Sequence, residues 1–322
     1  MKNYIIRRLL QMIPVFIGVI FILFFLLDRA PGTPVSRLMD PKMTPEQKEE
    51  LLIKMGLDKP WYERFINWFP EALKGNLGQS TIHKKPVTEV IGDYIGPTLL
   101  VSVTSLIISM LIGIPIGILS ATKQYSFADN FFTVFSLVGI SLPTFFFALL
   151  LLKFFAVDVQ IFPLFGLQTA TLSRNASWIT KTLDVAWHLI LPVTMLALSN
   201  SASFMRYTRS SMLEVIRQDY VRTARAKGLK EKVVIYRHAL RNAMIPIITL
   251  LAFSIPGLLS GAVMTETIFA LPGLGKISVE ASLTKNYNLI LGINAMLAMI
   301  TLLSTLIGDV LYAVADPRIR YS

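Results

Sequence analysis

The chain carries six separated apolar runs, at about 9–27, 98–121, 131–157, 186–205, 243–270 and 289–315. Each is close to the ~20 residues that an α-helix needs to cross ~30 Å of hydrocarbon at ~1.5 Å per residue. The pattern predicts an all-α membrane protein with six transmembrane helices. Composition agrees, because 53% hydrophobic and 16% charged residues over 322 positions is too apolar for an ordinary soluble domain. With no cysteine in the chain, disulfides, thiolate metal sites and cysteine nucleophiles are excluded.

The first run follows a short basic start containing Lys2, Arg7 and Arg8, a layout that also opens secretory signal peptides. It is too long for a signal core, and its end, Leu27-Asp28-Arg29-Ala30-Pro31, lacks a small-x-small cleavage pattern. A retained anchor with a cytoplasmic N-terminus is therefore expected. An even number of spans returns the C-terminal Asp316-Pro317-Arg318-Ile319-Arg320 to the same side. That topology places 16 of the 31 basic residues on the shorter, cytoplasmic loops. The opposite side holds 14, mostly in 28–97, where ten basic residues meet ten acidic ones, and long loops cross with little regard to charge. The net charge of +11 thus needs no nucleic acid. The expected layout is 1–27 for the cytoplasmic start and first span, 28–97 for a small helical extracytoplasmic region, and 98–322 for a core of five spans.

Within 28–97, Thr44-Pro45-Glu46-Gln47-Lys48 combines a capping residue, a proline at the first helical position and an early acid. Leu51, Leu52 and Met55 then recur at helical spacing, and Gly56 ends the segment. A second short helix is expected over 61–69, with Trp61, Phe65, Trp68 and Phe69 as its apolar face. The region reads either as a helical cap packed on the spans or as a docking site.

The core contains a proline-free, strongly basic cytoplasmic loop at 207–242. Met212, Leu213, Val215, Ile216, Tyr220, Val221 and Ala224 form an apolar stripe, with Arg217, Asp219, Arg222 and Arg225 around it. Gly228 breaks the pattern where Lys227 complements a helix C-terminus, and a second helix is expected over 231–241. Pattern alone leaves two readings open, a lever pushed by a soluble partner and a helix pair lying on the membrane surface.

The run Tyr220-Val-Arg-Thr-Ala-Arg-Ala-Lys-Gly-Leu229, followed by Arg237-His-Ala-Leu-Arg-Asn-Ala243, resembles the "EAA" loop of bacterial ABC importer permeases, in its oligopeptide/dipeptide form. Aligned on Gly228, the motif's Glu-Ala-Ala falls on Arg222, Thr223 and Ala224, and its downstream Ile-x-Leu-Pro on His238, Leu240 and Arg241. Arg222 replaces the general Glu and Arg241 the Pro, so contacts known from sugar transporters do not carry over. Tyr4-Ile-Ile-Arg-Arg-Leu-Leu10, Ala30-Pro-Gly-Thr-Pro34, Pro97-Thr-Leu-Leu100 and Ser141-Leu-Pro-Thr-Phe145 are similar to family landmarks in the same order. So are Glu266-Thr-Ile-Phe-Ala-Leu-Pro-Gly-Leu-Gly275 and Asp316-Pro317-Arg318.

The resemblance implies a type I ABC importer permease fold in the cytoplasmic (inner) membrane of a bacterium. It implies a homologous second permease subunit, two ATP-binding subunits that hold ATP and Mg, an extracytoplasmic peptide-binding protein and a peptide substrate. No cofactor is expected in this chain, and membrane lipid is its surrounding. The coupling residues implied are Tyr220, Arg222, Thr223, Ala224, Arg225, Ala226, Lys227, Gly228, Leu229, His238 and Leu240. The same resemblance also covers carriers of nickel complexes and of glutathione. An ion-coupled carrier and a scaffold without a pathway are the remaining classes.

Other chemistry is thin. Leu271-Pro-Gly-Leu-Gly-Lys276 lacks the glycine and hydroxyl of a phosphate-binding loop, since Ala270 and Ile277 occupy those places. Lys153, Glu266 and Asp309 lie within about two turns of span ends, where side chains reach the interface. His83, His188 and His238 are scattered without ligand spacing. Backbone breakers occur at Gly113-Ile-Pro115-Ile-Gly117, Gly139-Ile-Ser141-Leu-Pro143 and Ile255-Pro256-Gly257, and Ser199, Asn200, Ser201 and Ser203 add a polar stripe. Pro115, Ser141, Pro143, Ser199, Asn200, Ser203, Pro256 and Gly257 are therefore candidates for the translocation pathway, with static helix packing as the alternative.

Overall fold

A computed structural model describes residues 2–30, 43–54, 57–173, 175–260 and 263–315. Ala30-Pro-Gly-Thr-Pro34 beyond its first residue, Met55, Gly56 and the closing Asp316-Pro317-Arg318 lie outside them. Among the described residues the fold is helical, with a lone bridge between Gln79 and Pro86.

Helix α1 (Lys2–Arg29) is followed by α2 (Pro45–Lys54) and α3 (Trp61–Leu73). A reciprocal capping box starts α2: the Gln47 amide N–H donates to Thr44 Oγ1, and the Thr44 N–H donates to Gln47 Oε1 at 3.0 Å. The expected apolar face of α3 packs on α1. Trp61 meets Phe21 edge-on at 4.8 Å between ring centres, and Phe65 and Trp68 meet Phe24. Asp28 and Arg64 pair at 2.6 Å across the same contact.

The long helices follow. They are α4 (Val87–Thr122), α5 (Phe127–Ser141) and α6 (Thr144–Leu151), the last continuing in π geometry over Leu152–Asp158, then α7 (Trp178–Ile216). Next come α8 (Asp219–Ala226), the single turn α9 (Glu231–Val233), a π-helical stretch Val234–Ala239 and α10 (Leu240–Ser260). The described residues end with α11 (Val263–Ile268), α12 (Leu274–Leu283) and α13 (Tyr287–Ala315). Among the described residues, four helical segments are long and apolar enough to cross a membrane: Tyr4–Arg29, Val87–Thr122, Trp178–Ile216 and Tyr287–Val310. Counting the bent pair Phe127–Ser141 and Thr144–Asp158 as one span gives five. The apolar window of α1 is only 11% buried within the chain, the inverse of a soluble protein's helix.

Helix ends differ from the apolar runs for local reasons. The run at 131–157 is two helices meeting at 101°, because Leu142 precedes Pro143 and is held extended, at ψ 124°. Helix α4 begins eleven residues before its run (98 − 87), its polar first turns being packed under α12 and α13 through Val87, Val90 and Ile91. Pro97 and Pro115 lie inside α4 without ending it, as does Pro192 inside α7.

Among the described residues, α4 and α7 share the most extensive helix–helix contact. A Cβ on Gly113 would lie 2.6 Å from the Ser201 carbonyl oxygen, and one on Gly117 2.7 Å from that of Met205. Two glycines one turn apart thus let the backbones touch, the small-xxx-small packing of membrane helices.

Candidate functional site

The 207–242 segment folds as a hairpin, with boundaries that the stripe did not reveal. Helix α7 runs on to Ile216, Arg217 and Gln218 turn the chain, and α8 carries Tyr220 to Ala226. Gly228 closes the hairpin at φ +75°, a left-handed turn that glycine adopts without penalty. From Glu231 the helix continues through the π stretch into α10.

The hairpin has two faces. Its inner face buries Val221 and Ala224 with Val234, Ile235 and Ala239, against Ile118 and Ala121 of α4, Met212 of α7 and Ala243 of α10. Polar ties add register. The Asn242 amide donates to the Tyr220 hydroxyl at 2.7 Å, and the Ser211 hydroxyl donates to the Ala243 carbonyl at 3.0 Å. Arg225 donates to both carboxylate oxygens of Glu231, which holds that carboxyl below its usual range and raises the Arg225 guanidinium. The outer face exposes Tyr220, Arg222, Thr223, Arg225, Ala226, Lys227, Gly228 and Leu229. His238 and Leu240 are half-buried behind it. The structure thus brings the predicted residues into one unit but divides them, since Ala224 packs inward while its neighbours face out.

A second feature is a cavity of about 330 Å³ between α4, α7 and α10, lined by Ser102, Ser105, Asn200, Ser203, Ser254 and Gly257 among apolar neighbours. Three predicted pathway residues, Asn200, Ser203 and Gly257, meet here. Ser105 and Ser254 donate their hydroxyl protons to carbonyls of their own helices, which leaves their oxygens able to accept. Ser102, Ser105 and Ser254 were missed; Ser102, Ser105 and Ser109 recur at helical spacing and were legible as a polar stripe. Ser199 is half-buried and is not in the lining, and Ser201 is buried on the α4 side of α7. Ser141 and Pro143 are exposed at the α5–α6 joint, and Pro115 is exposed on α4. Pro256 lies within α10.

The ionisable suspects resolve individually. Lys153 pairs with Asp158 at 2.8 Å at the surface, and Asp309 pairs with Arg8 at 3.2 Å, tying α1 to α13. Glu266 does not reach the interface as expected. It is 1% exposed, accepts from the Thr98 hydroxyl at 2.8 Å and the Lys276 N–H at 3.0 Å, and Thr98 accepts from the Leu274 N–H at 2.8 Å. The carboxylate and Thr98 together cap the N-terminus of α12, satisfying donors that the helix itself leaves free. Gly273 leaves room for it, because a Cβ there would overlap the Glu266 carboxylate. Near the hairpin, Asp129 is buried and takes a forked pair of bonds from Arg209 at 2.7 and 2.9 Å. Sequence reading passed over it, since the partners are 80 residues apart.

Comparison with known proteins follows the same lines. The oligopeptide transport system permease protein AppB of Bacillus subtilis (strain 168) is 40% identical over 322 residues, covering 100% of both chains. The dipeptide transport system permease protein DppB of Escherichia coli (strain K12) is 35% identical over 341 residues, covering 100% of this chain and 99% of the relative. Among solved structures, an inward-facing conformation of the MetNI methionine ABC transporter matches at a TM-score of 0.52 and 16% identity. It covers 71% of this chain and 97% of that one, a likeness of fold alone. Residues 113–321, which hold the hairpin and the α7 and α10 walls of the cavity, match the family described as binding-protein-dependent transport system inner membrane component. The chain is a member of that family, the permease component of ABC transporters rather than an enzyme.

Proposed function

We propose that this chain is one of two homologous permease subunits of a peptide importer in the bacterial cytoplasmic membrane. It stands on two ATP-binding subunits that hold ATP and Mg, and receives its solute from an extracytoplasmic peptide-binding protein. In this reading α10 completes six spans with both termini cytoplasmic, and α2 and α3 lie outside. The domain division at 1–27, 28–97 and 98–322 follows, with the first turns of α4 belonging to the outer region.

The observation that supports the reading best is the two-faced hairpin. Its outer face presents cations and small residues that suit a soluble partner, while its inner face is packed into the ends of α4, α7 and α10. A push on such an element moves those three helices, which are also the walls of the cavity. A ligand or partner shifts a conformational equilibrium only by contacting its two states differently. The hairpin offers that contact to the ATPase and the cavity offers it to the solute. Small hydroxyl and amide groups without a net charge suit a peptide backbone passing through.

The test is uptake of a labelled oligopeptide into proteoliposomes. With the ATPases, second permease and binding protein present, ATP-dependent uptake is expected, and the purified chain under an ion gradient alone is expected to move nothing. Uptake by the lone chain overturns the proposal in favour of an ion-coupled carrier. Selective transport of nickel complexes or glutathione overturns the peptide assignment only.

A further inference from the structure

Helix α5 is held unlike its neighbours. Its buried residues are Asp129 and Ser136, both polar, whereas Phe127, Phe131, Val134, Phe135, Leu137, Val138 and Ile140 are exposed. Apolar packing therefore does not grip this helix along its length. What fixes its cytoplasmic end is the Asp129 carboxylate, which takes two bonds from Arg209, accepts from the Tyr125 N–H at 2.9 Å and from the Thr133 hydroxyl at 3.4 Å. Ser126 caps the helix by accepting the Asp129 N–H at 3.2 Å.

The other end of this link lies in the hairpin's foundation. Arg209 sits one turn before Met212, whose fully buried side chain belongs to the cluster formed by Val221, Ala224 and Val234 of the hairpin. Gly113 and Gly117 lock α7 to α4, so those two move together. Helix α5 has no such lock: a Cβ on Gly139, its own glycine facing α7, would meet Ala202 at an ordinary 3.6 Å. Apolar surfaces slide over one another, but a forked guanidinium–carboxylate pair fixes direction as well as distance.

We infer that Asp129 and Arg209 are positioning residues that carry the hairpin's displacement from α7 to α5, and through the 101° joint at Leu142–Pro143 to α6. They thereby set how tightly ATP use is tied to solute movement. The inference rests on the coupling role proposed for the hairpin. It assigns a function to a buried carboxylate and its half-buried arginine partner, outside both the hairpin's outer face and the cavity.

The experiment uses the complete reconstituted transporter and counts peptides moved per ATP hydrolysed. Asp129→Asn and Arg209→Lys are each expected to keep ATP hydrolysis while the ratio falls about tenfold, and the exchange D129R/R209D to recover about half of it. The chain has no cysteine, so spin labels at Asn130→Cys and Lys230→Cys report α5 against the hairpin on a clean background. The label distance is expected to change on ATP binding in the parent differently from the Asp129→Asn variant. A native ratio in both single variants overturns the inference; if Ala226→Pro uncouples in the same preparation, the hairpin reading survives it. If Ala226→Pro also transports normally, the hairpin reading itself fails. Failure of the two single variants and the exchange to assemble also overturns the inference, because the pair is then a determinant of the fold.

Discussion

Replacing Glu266 by alanine removes the acceptor that closes the start of α12. Two donors lose their partner, the Thr98 hydroxyl at 2.8 Å and the Lys276 N–H at 3.0 Å. The hydroxyl has an alternative in the Tyr94 carbonyl at 3.4 Å, so most of the loss falls on the N–H. A buried donor left unpaired costs about 1–3 kcal/mol, and the lost charge–helix interaction adds up to about 1 kcal/mol. The expected total is about 3 kcal/mol, with about half of that for Glu266→Gln, which keeps one oxygen and the volume. At about 2 °C per kcal/mol for a chain of this size, the midpoint of thermal unfolding in detergent falls by about 6 °C and about 3 °C respectively. A double-mutant cycle sharpens the test. Gly273→Ala alone drives a methyl group into the carboxylate and costs about 1–3 kcal/mol, yet in the Glu266→Ala background the space is vacant and the same change is close to neutral. Intrinsic tryptophan fluorescence of the purified protein reads all four forms. Additive effects of the two substitutions, or a Glu266→Ala protein as stable as the parent, refute the capping argument.

Other expectations concern the helix contacts and the hairpin. Gly117→Val is expected to force α4 from α7, since even its Cβ would lie 2.6 Å from that of Thr208; loss of monodisperse protein on size exclusion checks this, and native behaviour contradicts it. Gly228→Ala meets no neighbour and so tests backbone conformation alone; at φ +75° it is expected to cost about 1 kcal/mol and leave expression intact while lowering uptake. The Glu231 carboxyl is depressed by Arg225, so its contribution to hairpin anchoring is present above its ordinary value of 4.5 and is lost as pH falls through the lower folded value. Limited proteolysis at the hairpin is therefore expected to be flat between about pH 6 and 8, and to rise in acid or in Glu231→Gln at neutral pH.

Four of the expected spans, or five with the bent pair, were legible because hydrocarbon thickness imposes a run length that few other constraints mimic. Where the reading missed, another force set the outcome. Leu142 is apolar and continues the run, but its place before Pro143 turns the helix. The apolar stripe from Met212 to Ala224 looked like one helix because hydrophobic spacing does not register the two polar turn residues, Arg217 and Gln218, that split it. The coupling segment was visible through its family resemblance and the inward face of Val221 and Ala224 through the apolar stripe, whereas the exposed place of Tyr220, a member of the same stripe, was not. The Glu266 cap and the Asp129–Arg209 pair join residues distant in the chain. Nothing local records such contacts. Gly113 and Gly117 were noticed as breakers, and their packing role emerges only from the neighbour they touch.

The hairpin is proposed to convert ATPase motion into movement of the spans. Ala226 is exposed at the end of α8, and a proline there removes a backbone donor and distorts the preceding turn, at about 3 kcal/mol, without entering the buried cluster. The decisive measurement is the number of peptides imported per ATP hydrolysed by the reconstituted Ala226→Pro transporter. The variant is expected to reach the membrane, bind its ATPases and hydrolyse ATP with almost no uptake. A native ratio from that well-expressed variant contradicts the hairpin's proposed role.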